Sequence, residues 1–318
     1  MRVLVYGAGA VGLGIASCLL KSKCQVDVIA RENTVAALQE HGLIRTGIFG
    51  RFHAEPATFG SYTSLGQIPT EGYDYMLVST KSFDSSAAAK DLSEYPSLFG
   101  PGTKIVLFQN GWGNAEAFCS FFSRDRIYNA RVITGFSRPQ DNEVTITVHA
   151  DSIRIGSLFK RDSSRLADLC RAIAAGAIPC ETTHEIAKDL WAKMLYNCAL
   201  NPLGAIVDVP YGALADNEFT RAIMNGIVEE VFNVMTAAGY RTHWQSAKDF
   251  LSVFYERLVP DTAEHKSSTL QDITAKKRTE IDALNGAVIK LAAKYNNVEV
   301  PYNLVIYRLI KFIEGRSI

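Results

Sequence analysis

The chain has 318 residues, of which 47% are hydrophobic and 21% charged, so it can bury a sizeable core and is long enough for two domains. Its 33 basic residues equal its 33 acidic residues, and this balance disfavours a nucleic-acid-binding or membrane-surface protein. The six cysteines are scattered, which is typical of reduced thiols and not of a zinc site or a disulfide scaffold.

The first half of the sequence alternates short apolar runs, predicted as strands, with segments of helix length. Strands are predicted at residues 3–6, 26–30, 75–79 and 105–108, and a helix is predicted after each of them. Residues 43–46 and 51–54 flank two glycines, which predicts a hairpin. Two later runs, 143–148 and 153–156, are predicted to form an antiparallel pair that closes the edge of the sheet.

From residue 184 onwards the pattern changes to segments of helix length. They cover about 185–203, 217–238, 243–257, 268–294 and 302–314. We therefore predict an α/β fold, with a Rossmann-type, doubly wound and mostly parallel sheet in residues 1–183 and an all-helical domain in residues 184–318. The sequence lacks a low-complexity linker, so we expect the domains to meet closely and form a cleft. No apolar run has the roughly 20 residues of a membrane span, and we expect a cytoplasmic protein.

A glycine-rich turn, Gly7-Ala-Gly9-Ala-Val-Gly12, directly follows the first predicted strand and opens a helix. The first glycine permits a tight turn, the second lets the backbone approach a pyrophosphate, and the third lets the helix pack on the strand. The phosphates would lie at the helix N-terminus. This predicts a dinucleotide site formed by Gly7, Ala8, Gly9, Ala10, Val11 and Gly12.

The residue after the second strand indicates which dinucleotide is bound. NAD enzymes usually have Asp or Glu in this region, which binds a ribose hydroxyl. Here the strand ends in Arg31, and a guanidinium suits the 2′-phosphate of NADPH. A solvated surface arginine is the alternative, since Glu32 follows it directly. We predict NADPH as the cofactor.

Lys193, Asn197 and Asn201 recur every four residues in an otherwise apolar segment, which places them on one face of a buried helix. Because buried polar groups need partners, we favour a row that faces a cleft, with one cation for acid chemistry and two amides for orientation, over an exposed face. We call these three residues the polar stripe.

Loops after two predicted strands add candidates at the edge where open α/β sheets bind ligands, namely Thr80, Lys81 and Asn110. Ser268 and the glutamine three residues later match a capping box, so helix capping explains this serine as well as ligand binding does. Glu280 is either a surface carboxylate beside two lysines or a ligand contact, and its sequence neighbours favour neither.

Together these residues resemble the ketopantoate reductase family, with matching motifs along the whole chain. The motifs are Gly7–Gly12, Thr80-Lys81, Gln109-Asn110-Gly111, Trp191-Ala-Lys193 with Asn197, Asn201-Pro-Leu203, residues 267–273, residues 279–282 and Asn285-Gly286. The resemblance implies reduction of a small 2-oxo acid by NADPH in the cleft between the two domains, with 2-dehydropantoate and the pantothenate and coenzyme A pathway as the expected substrate and context.

The resemblance also implies roles for single residues. Lys193 matches the catalytic lysine that supplies the proton, and Asn110 matches an asparagine beside the nicotinamide and the substrate. Lys81 and Glu280 match cofactor-side positions. The remaining matches bind substrate, namely Asn197, Asn201 and Ser268. No metal is expected, and a homodimer stays open.

Two residues depart from the family pattern. Tyr211 stands where the best-known members have asparagine, and Asp208 adds a negative charge nearby. A related dehydrogenase for another 2-oxo acid is therefore one alternative. A protein that senses NADPH without turnover is another, although a sensor would not need the proton donor that Lys193 provides.

Overall fold

The computed structural model describes residues 1–69, 72–295 and 298–317. The chain divides into two compact units. Unit 1 comprises Met1–Gln109 and Asn114–Ile186, and unit 2 comprises Asn110–Gly113 and Ala187–Ile318. The four residues 110–113 therefore belong to unit 2, although the residues before and after them in the sequence belong to unit 1.

In the described part of unit 1, ten strands form one sheet. They are β1 (Arg2–Tyr6), β2 (Gln25–Ile29), β3 (Leu43–Gly47), β4 (Phe52–Ala54), β5 (Gly60–Tyr62), β6 (Tyr73–Val78), β7 (Phe99–Leu107), β8 (Ile127–Gln140), β9 (Glu143–Gly156) and β10 (Cys180–Thr182). The helices are α1 (Ala10–Lys21), α2 (Glu32–His41), α3 (Ser85–Ser93), α4 (Asn114–Cys119) and α5 (Ala167–Ala175).

The strand order is β4-β3-β9-β8-β7-β6-β1-β2-β5, and β10 pairs with β9. The pairs β3–β4 and β8–β9 are antiparallel, while the other pairs are parallel. The predicted mostly parallel sheet and the predicted hairpin of β3 and β4 are thus confirmed. The ligand-binding edge of such a sheet lies at the carboxyl ends of its parallel strands, where the glycine turn follows β1.

Unit 1 has a core on each face of its central strands. Val3 and Val5 of β1 pack in one cluster of buried residues, and Leu4 between them packs in the other. This alternation follows from the two-residue period of a strand. It also explains why β1 is apolar throughout, because a parallel strand covered on both faces has no solvated side.

The predicted antiparallel pair at residues 143–148 and 153–156 is wrong. Both runs belong to the single strand β9, which pairs with β8, β3 and β10 and so lies inside the sheet. The polar residues between the runs are paired across to β8: Arg131 Nη2 donates to Asp151 Oδ2 at 2.8 Å, and Thr134 Oγ1 lies 2.9 Å from His149 Nδ1. Register shifts in this stretch accommodate them without ending the strand.

Unit 2 is helical, as predicted. Its helices are α6 (Ile186–Val207), α7 (Tyr211–Asp216), α8 (Glu218–Ala237), α9 (Ala247–Val253), α10 (Ser268–Thr274), α11 (Asn285–Lys294) and α12 (Pro301–Ser317). A π-helical turn, Phe254–Leu258, follows α9, and a short 3₁₀ turn, Ile281–Ala283, precedes α11. Across both units, no described helix is at once long and apolar enough to cross a bilayer.

The single helix predicted at 268–294 is wrong, because a break separates α10 from α11. Lys276 has φ +52°, outside the right-handed helical region, and Glu280 lies between the helices just before the 3₁₀ turn. The break takes Glu280 out of a helix.

The first helix of the second domain is predicted to end near residue 203. This is also wrong, since α6 continues through Pro202 to Val207. Proline has no N–H, so the carbonyl of Cys198 loses its partner within the helix. Asn285 Nδ2 donates to that carbonyl at 3.2 Å. The side chain of Asn285 therefore replaces the missing hydrogen bond.

Candidate active site

The glycine turn of unit 1 joins the ends of three strands. Gly7 has φ +105°, its N–H donates to Ile29 O at 3.1 Å, and its carbonyl accepts from Ser79 Oγ at 2.6 Å. A Cβ at Gly12 would lie 2.0 Å from the carbonyl oxygen of Gly7. Both positions therefore require glycine, the first for its backbone conformation and the second for close packing.

Gly9, in contrast, faces open space. It is the N-cap of α1 with extended backbone (φ −73°, ψ −174°), and a Cβ placed there would meet nothing within 4 Å. The first amides of an α-helix have no acceptor within the helix, and no side chain caps them here. The turn thus has the space and the donors that a dinucleotide pyrophosphate needs.

Arg31 lies at the opening of the next helix. It is the exposed N-cap of α2, two residues after β2 ends at Ile29, and Glu32 is the first residue of that helix. The backbone bond from Gly7 to Ile29 joins this strand end to the glycine turn. The exposed guanidinium therefore follows a strand end that is itself bonded to the turn.

Gln109 connects the loops after β6 and β7. Its Nε2 donates to Thr80 Oγ1 at 3.2 Å, to the carbonyl of Lys81 at 3.3 Å and to Ser85 Oγ at 2.9 Å. Gln109 is buried. The sequence predicts no site role for Gln109, although it directly precedes Asn110, and its side chain fixes the loop that carries Thr80 and Lys81.

In unit 2, three predicted site residues meet through one amide. Lys193 Nζ donates to Asn110 Oδ1 at 2.6 Å, and Asn110 Nδ2 donates to Glu280 Oε2 at 3.2 Å. Glu280 is 7% exposed, so the surface alternative for it is wrong. We call these residues the Lys193–Asn110–Glu280 cluster. It links an ammonium group and a buried carboxylate to the same amide.

The segment Asn110–Gly113 is anchored to unit 2 by close contacts. Gly111 has φ +84°, and a Cβ there would lie 2.4 Å from Ala283 O. Trp112 N donates to the same carbonyl at 2.9 Å. The ring of Trp112 packs against Trp191 and Tyr240, with centroids 4.7 and 4.8 Å apart. This aromatic anchor could not be predicted from the sequence, because no local pattern pairs these residues.

The polar stripe of α6 is buried along most of its length. Asn197 and Asn201 are 8% and 5% exposed, and Lys193 is half-buried on the same face. Asn201 Nδ2 lies 3.4 Å from Ser268 Oγ, the next predicted substrate-binding residue. The predicted exposed-face alternative for the two amides is therefore wrong.

The capping interpretation of Ser268 is wrong. The N-cap of α10 is Ser267, whose Oγ accepts from Leu270 N at 3.0 Å and donates to the carbonyl of Asn201 at 2.9 Å. Ser268 is the first residue inside the helix. Its hydroxyl is thus not the helix cap and faces the amide of Asn201.

Tyr211, which departs from the family pattern, contacts the polar stripe directly. Its hydroxyl donates to Asn201 Oδ1 at 2.6 Å, and the side chain is buried. Asp208 is exposed and pairs with Lys266 at 3.7 Å. Of the two departures, only the tyrosine hydrogen-bonds to a predicted substrate-binding residue.

Comparison with known proteins covers both units. The family model for "Ketopantoate reductase PanE/ApbA" matches residues 3–159, and that for "Ketopantoate reductase PanE/ApbA C terminal" matches residues 185–314. The 2-dehydropantoate 2-reductase of Aquifex aeolicus is 35% identical over 312 residues, which is 98% of this chain and 96% of that protein. The chain belongs to the ketopantoate reductase family. It is accordingly an oxidoreductase that acts on a CH–OH group.

Solved structures of ketopantoate reductases share the fold along the whole chain. The PanE/ApbA family ketopantoate reductase from Ralstonia eutropha JMP134 is 28% identical with a TM-score of 0.86, over 100% of this chain and 99% of that one. A D-mandelate dehydrogenase solved with NADH and anilino(oxo)acetate also has a TM-score of 0.86, covering 100% and 99%, at 21% identity. At that identity the second likeness concerns the fold alone.

Proposed function

We propose that the protein is an NADPH-dependent 2-dehydropantoate 2-reductase, which forms pantoate for pantothenate and coenzyme A synthesis. The observation that carries the proposal is the Lys193–Asn110–Glu280 cluster at the end of the polar stripe, which combines a proton donor with buried hydrogen-bonding amides. The name of the Aquifex aeolicus relative, which matches almost the whole chain, supports the choice of substrate.

In the proposed reaction Lys193 acts as the general acid. When bound, NADPH supplies the hydride for the keto carbon. The Lys193 ammonium then stabilises the negative charge that develops on the keto oxygen and donates its proton to it. Asn110 orients the ammonium by accepting a hydrogen bond from it, and Glu280 holds the other end of the Asn110 amide.

The substrate is assigned to the polar groups that follow Lys193 along α6. Asn197 and Asn201 extend from it on one face, and Ser268 adds a hydroxyl beside Asn201. A 2-oxo acid has a carboxylate next to its keto group, and amide N–H and hydroxyl groups are donors that suit it. We assign the carboxylate and the hydroxyl of the substrate to these three residues.

The cofactor is assigned to the first domain, residues 1–183, and catalysis to residues 184–318. The glycine turn offers the space and the helix N-terminus for the pyrophosphate, and Thr80 and Lys81 lie in the adjacent loop tied by Gln109. The exposed Arg31 supports NADPH over NADH, because its guanidinium can bind the 2′-phosphate.

Tyr211 favours a second candidate, a reductase of the same mechanism for another branched 2-oxo acid. Its buried hydroxyl donates to Asn201, so Tyr211 bears on the shape of the substrate site. The choice between the two candidates affects the side chain of the substrate and leaves the roles of Lys193 and the cofactor unchanged.

The test is NADPH oxidation with 2-dehydropantoate and with a panel of other 2-oxo acids, followed by identification of the 2-hydroxy acid product. We expect the highest kcat/KM with 2-dehydropantoate. A higher value with another 2-oxo acid would favour the second candidate. NADPH binding without oxidation by any 2-oxo acid would contradict both and favour the sensor.

Cofactor preference is tested with Arg31→Ala. The variant should lose roughly tenfold in kcat/KM for NADPH, about the value of one charge-assisted hydrogen bond, and little for NADH. Arg51→Ala, which changes another exposed arginine of unit 1, is the control and should leave both values unchanged. Equal losses for the two cofactors in Arg31→Ala would contradict the assignment of the 2′-phosphate.

A further inference from the structure

The phenol of Tyr211 is buried against the polar stripe. Tyr211 is the first residue of α7, after Pro210 at the N-cap, and its side chain is 3% exposed. The hydroxyl donates to Asn201 Oδ1 at 2.6 Å. A buried hydrogen bond of this length occupies the oxygen end of the Asn201 amide.

Packing on several sides fixes the position of this phenol. The ring stands edge-on to Tyr196, with centroids 5.8 Å apart, and lies 5.3 Å from the ring of His265. The backbone N–H of Tyr211 donates to the carbonyl of His265 at 3.2 Å. Burial raises the pKa of Tyr211 well above its ordinary value, so the hydroxyl keeps its proton and remains a donor.

In the structure the Tyr211 hydroxyl bonds to the oxygen end of the Asn201 amide. With Oδ1 held by the phenol, Nδ2 points to the other side, where it lies 3.4 Å from Ser268 Oγ. The backbone of Asn201 is fixed as well, because its carbonyl accepts from Ser267 Oγ at 2.9 Å. The end of the amide beside the Ser268 hydroxyl is therefore its NH2 group, which is a donor.

We propose that Tyr211 is a positioning residue, which fixes the Asn201 amide so that its NH2 group and the Ser268 hydroxyl form a donor pair for the carboxylate of the 2-oxo acid. This inference rests on the proposed function and names the residue that makes the site prefer a carboxylate. A carboxylate only accepts hydrogen bonds, so it is attracted by the NH2 end and repelled by the oxygen end. A neutral 2-oxo amide can bind either end.

The experiment compares Tyr211→Phe with Tyr196→Phe. Both variants keep the aromatic ring and lose one hydroxyl; that of Tyr196 lies 2.6 Å from Thr262 Oγ1 and so belongs to a different pair in the same cluster. With each enzyme we would measure kcat and KM for a 2-oxo acid with NADPH, KM for NADPH, and the inhibition constant of the corresponding primary 2-oxo amide.

Tyr211→Phe should raise KM for the acid about tenfold, the effect of one lost hydrogen bond, with kcat and the KM for NADPH close to wild type. Its affinity for the amide should change little, so discrimination between acid and amide should fall about tenfold as well. Tyr196→Phe should keep the wild-type discrimination. A purely structural role of the Tyr211 hydroxyl would instead weaken binding of the acid and of the amide alike in Tyr211→Phe.

A second variant covers the case in which Tyr211→Phe does not fold. Asn201→Asp puts a carboxylate oxygen where Nδ2 lies. It should weaken binding of the 2-oxo acid more than tenfold and change binding of the 2-oxo amide little. Equal losses for acid and amide in this variant, or a Tyr211→Phe enzyme with the acid KM of wild type, would overturn the inference. Failure of wild type to reduce any 2-oxo acid would instead overturn the proposed function.

Discussion

Lys193 donates a 2.6 Å hydrogen bond to the side-chain oxygen of Asn110, a residue 83 positions earlier in the chain. The nitrogen of the same amide donates to Glu280 at 3.2 Å. The amide cannot turn over without facing its oxygen to a carboxylate and its NH2 group to an ammonium. Asn110 is thus held in one orientation by two opposite charges.

Asn110→Ala should reduce kcat by about 10²-fold, the usual effect of misplacing a catalytic group by about 1 Å, because Lys193 loses the acceptor that orients it. The thermal midpoint should fall too, since buried Glu280 loses a donor. Asn114→Ala is the control. Asn114 is the buried first residue of α4 and pairs with Ser85 at 2.8 Å, so its replacement should cost stability without the loss in kcat. Equal kcat values in the two variants would contradict the role of Asn110.

Gly12→Ala and Gly9→Ala should separate the packing role of a glycine from its ligand role. A methyl at Gly12 would lie 2.0 Å from Gly7 O, so that variant should lose about 1–3 kcal/mol of stability. A methyl at Gly9 meets open space, so Gly9→Ala should keep its thermal midpoint and bind NADPH roughly tenfold more weakly. Calorimetry measures both quantities. Wild-type NADPH affinity in Gly9→Ala would place the pyrophosphate elsewhere.

Asn285→Ala should destabilise the protein by about 1–3 kcal/mol, because the Cys198 carbonyl loses the donor that compensates for Pro202. Pro202→Ala restores a backbone N–H at that position. Asn285→Ala should therefore cost about 1 kcal/mol less in a Pro202→Ala background than in wild type. Urea unfolding of the four proteins gives this difference. Additive effects would show that Asn285 acts only through Asn303, its other partner at 2.9 Å.

Stability should decrease as the pH falls below neutral, in part because of His265. Burial lowers the pKa of His265 below its ordinary value of 6.5, so the unfolded chain takes up a proton more readily than the folded one. The stabilisation is present above pH 6.5 and is lost as the pH falls through the histidine range. Between about pH 7.5 and pH 5.5 the thermal midpoint of wild type should fall more than that of His265→Gln.

Burial also lowers the pKa of His149, but that residue is the same in wild type and His265→Gln and cancels in the comparison. Parallel pH profiles of the two thermal midpoints would contradict the assignment to His265.

The parts of the fold with local signals could be predicted from the sequence. The glycine turn follows an apolar strand, and the polar stripe repeats with the period of a helix, so both could be placed before the structure was known. The continuous strand β9 could not, because its polar residues are stabilised by partners on β8 that are distant in sequence. The passage of α6 through Pro202 likewise depends on Asn285, which lies in another helix.

In the candidate site, too, only the features with a local sequence signal could be predicted. Sequence placed Lys193 and Asn201 on one helical face, but neither the link from Lys193 to Asn110 nor the bond from Tyr211 to Asn201 has a sequence pattern. Either of two adjacent serines could cap the helix on sequence grounds, and only the geometry of α10 identifies Ser267 as the cap. The bonds of Lys193 and Tyr211 thus depend on contacts between separate segments, whereas the cap of α10 depends on local geometry.

The most direct test of the account is kcat for Lys193→Ala, with Lys188→Ala of the same helix as the control. We expect Lys193→Ala to lose about 10²–10⁴-fold in kcat while its thermal midpoint stays close to wild type, because a positioned general acid is commonly worth that much. Lys188→Ala should keep wild-type kcat. A folded Lys193→Ala enzyme with kcat within a few-fold of wild type would contradict the assignment of Lys193 as the proton donor.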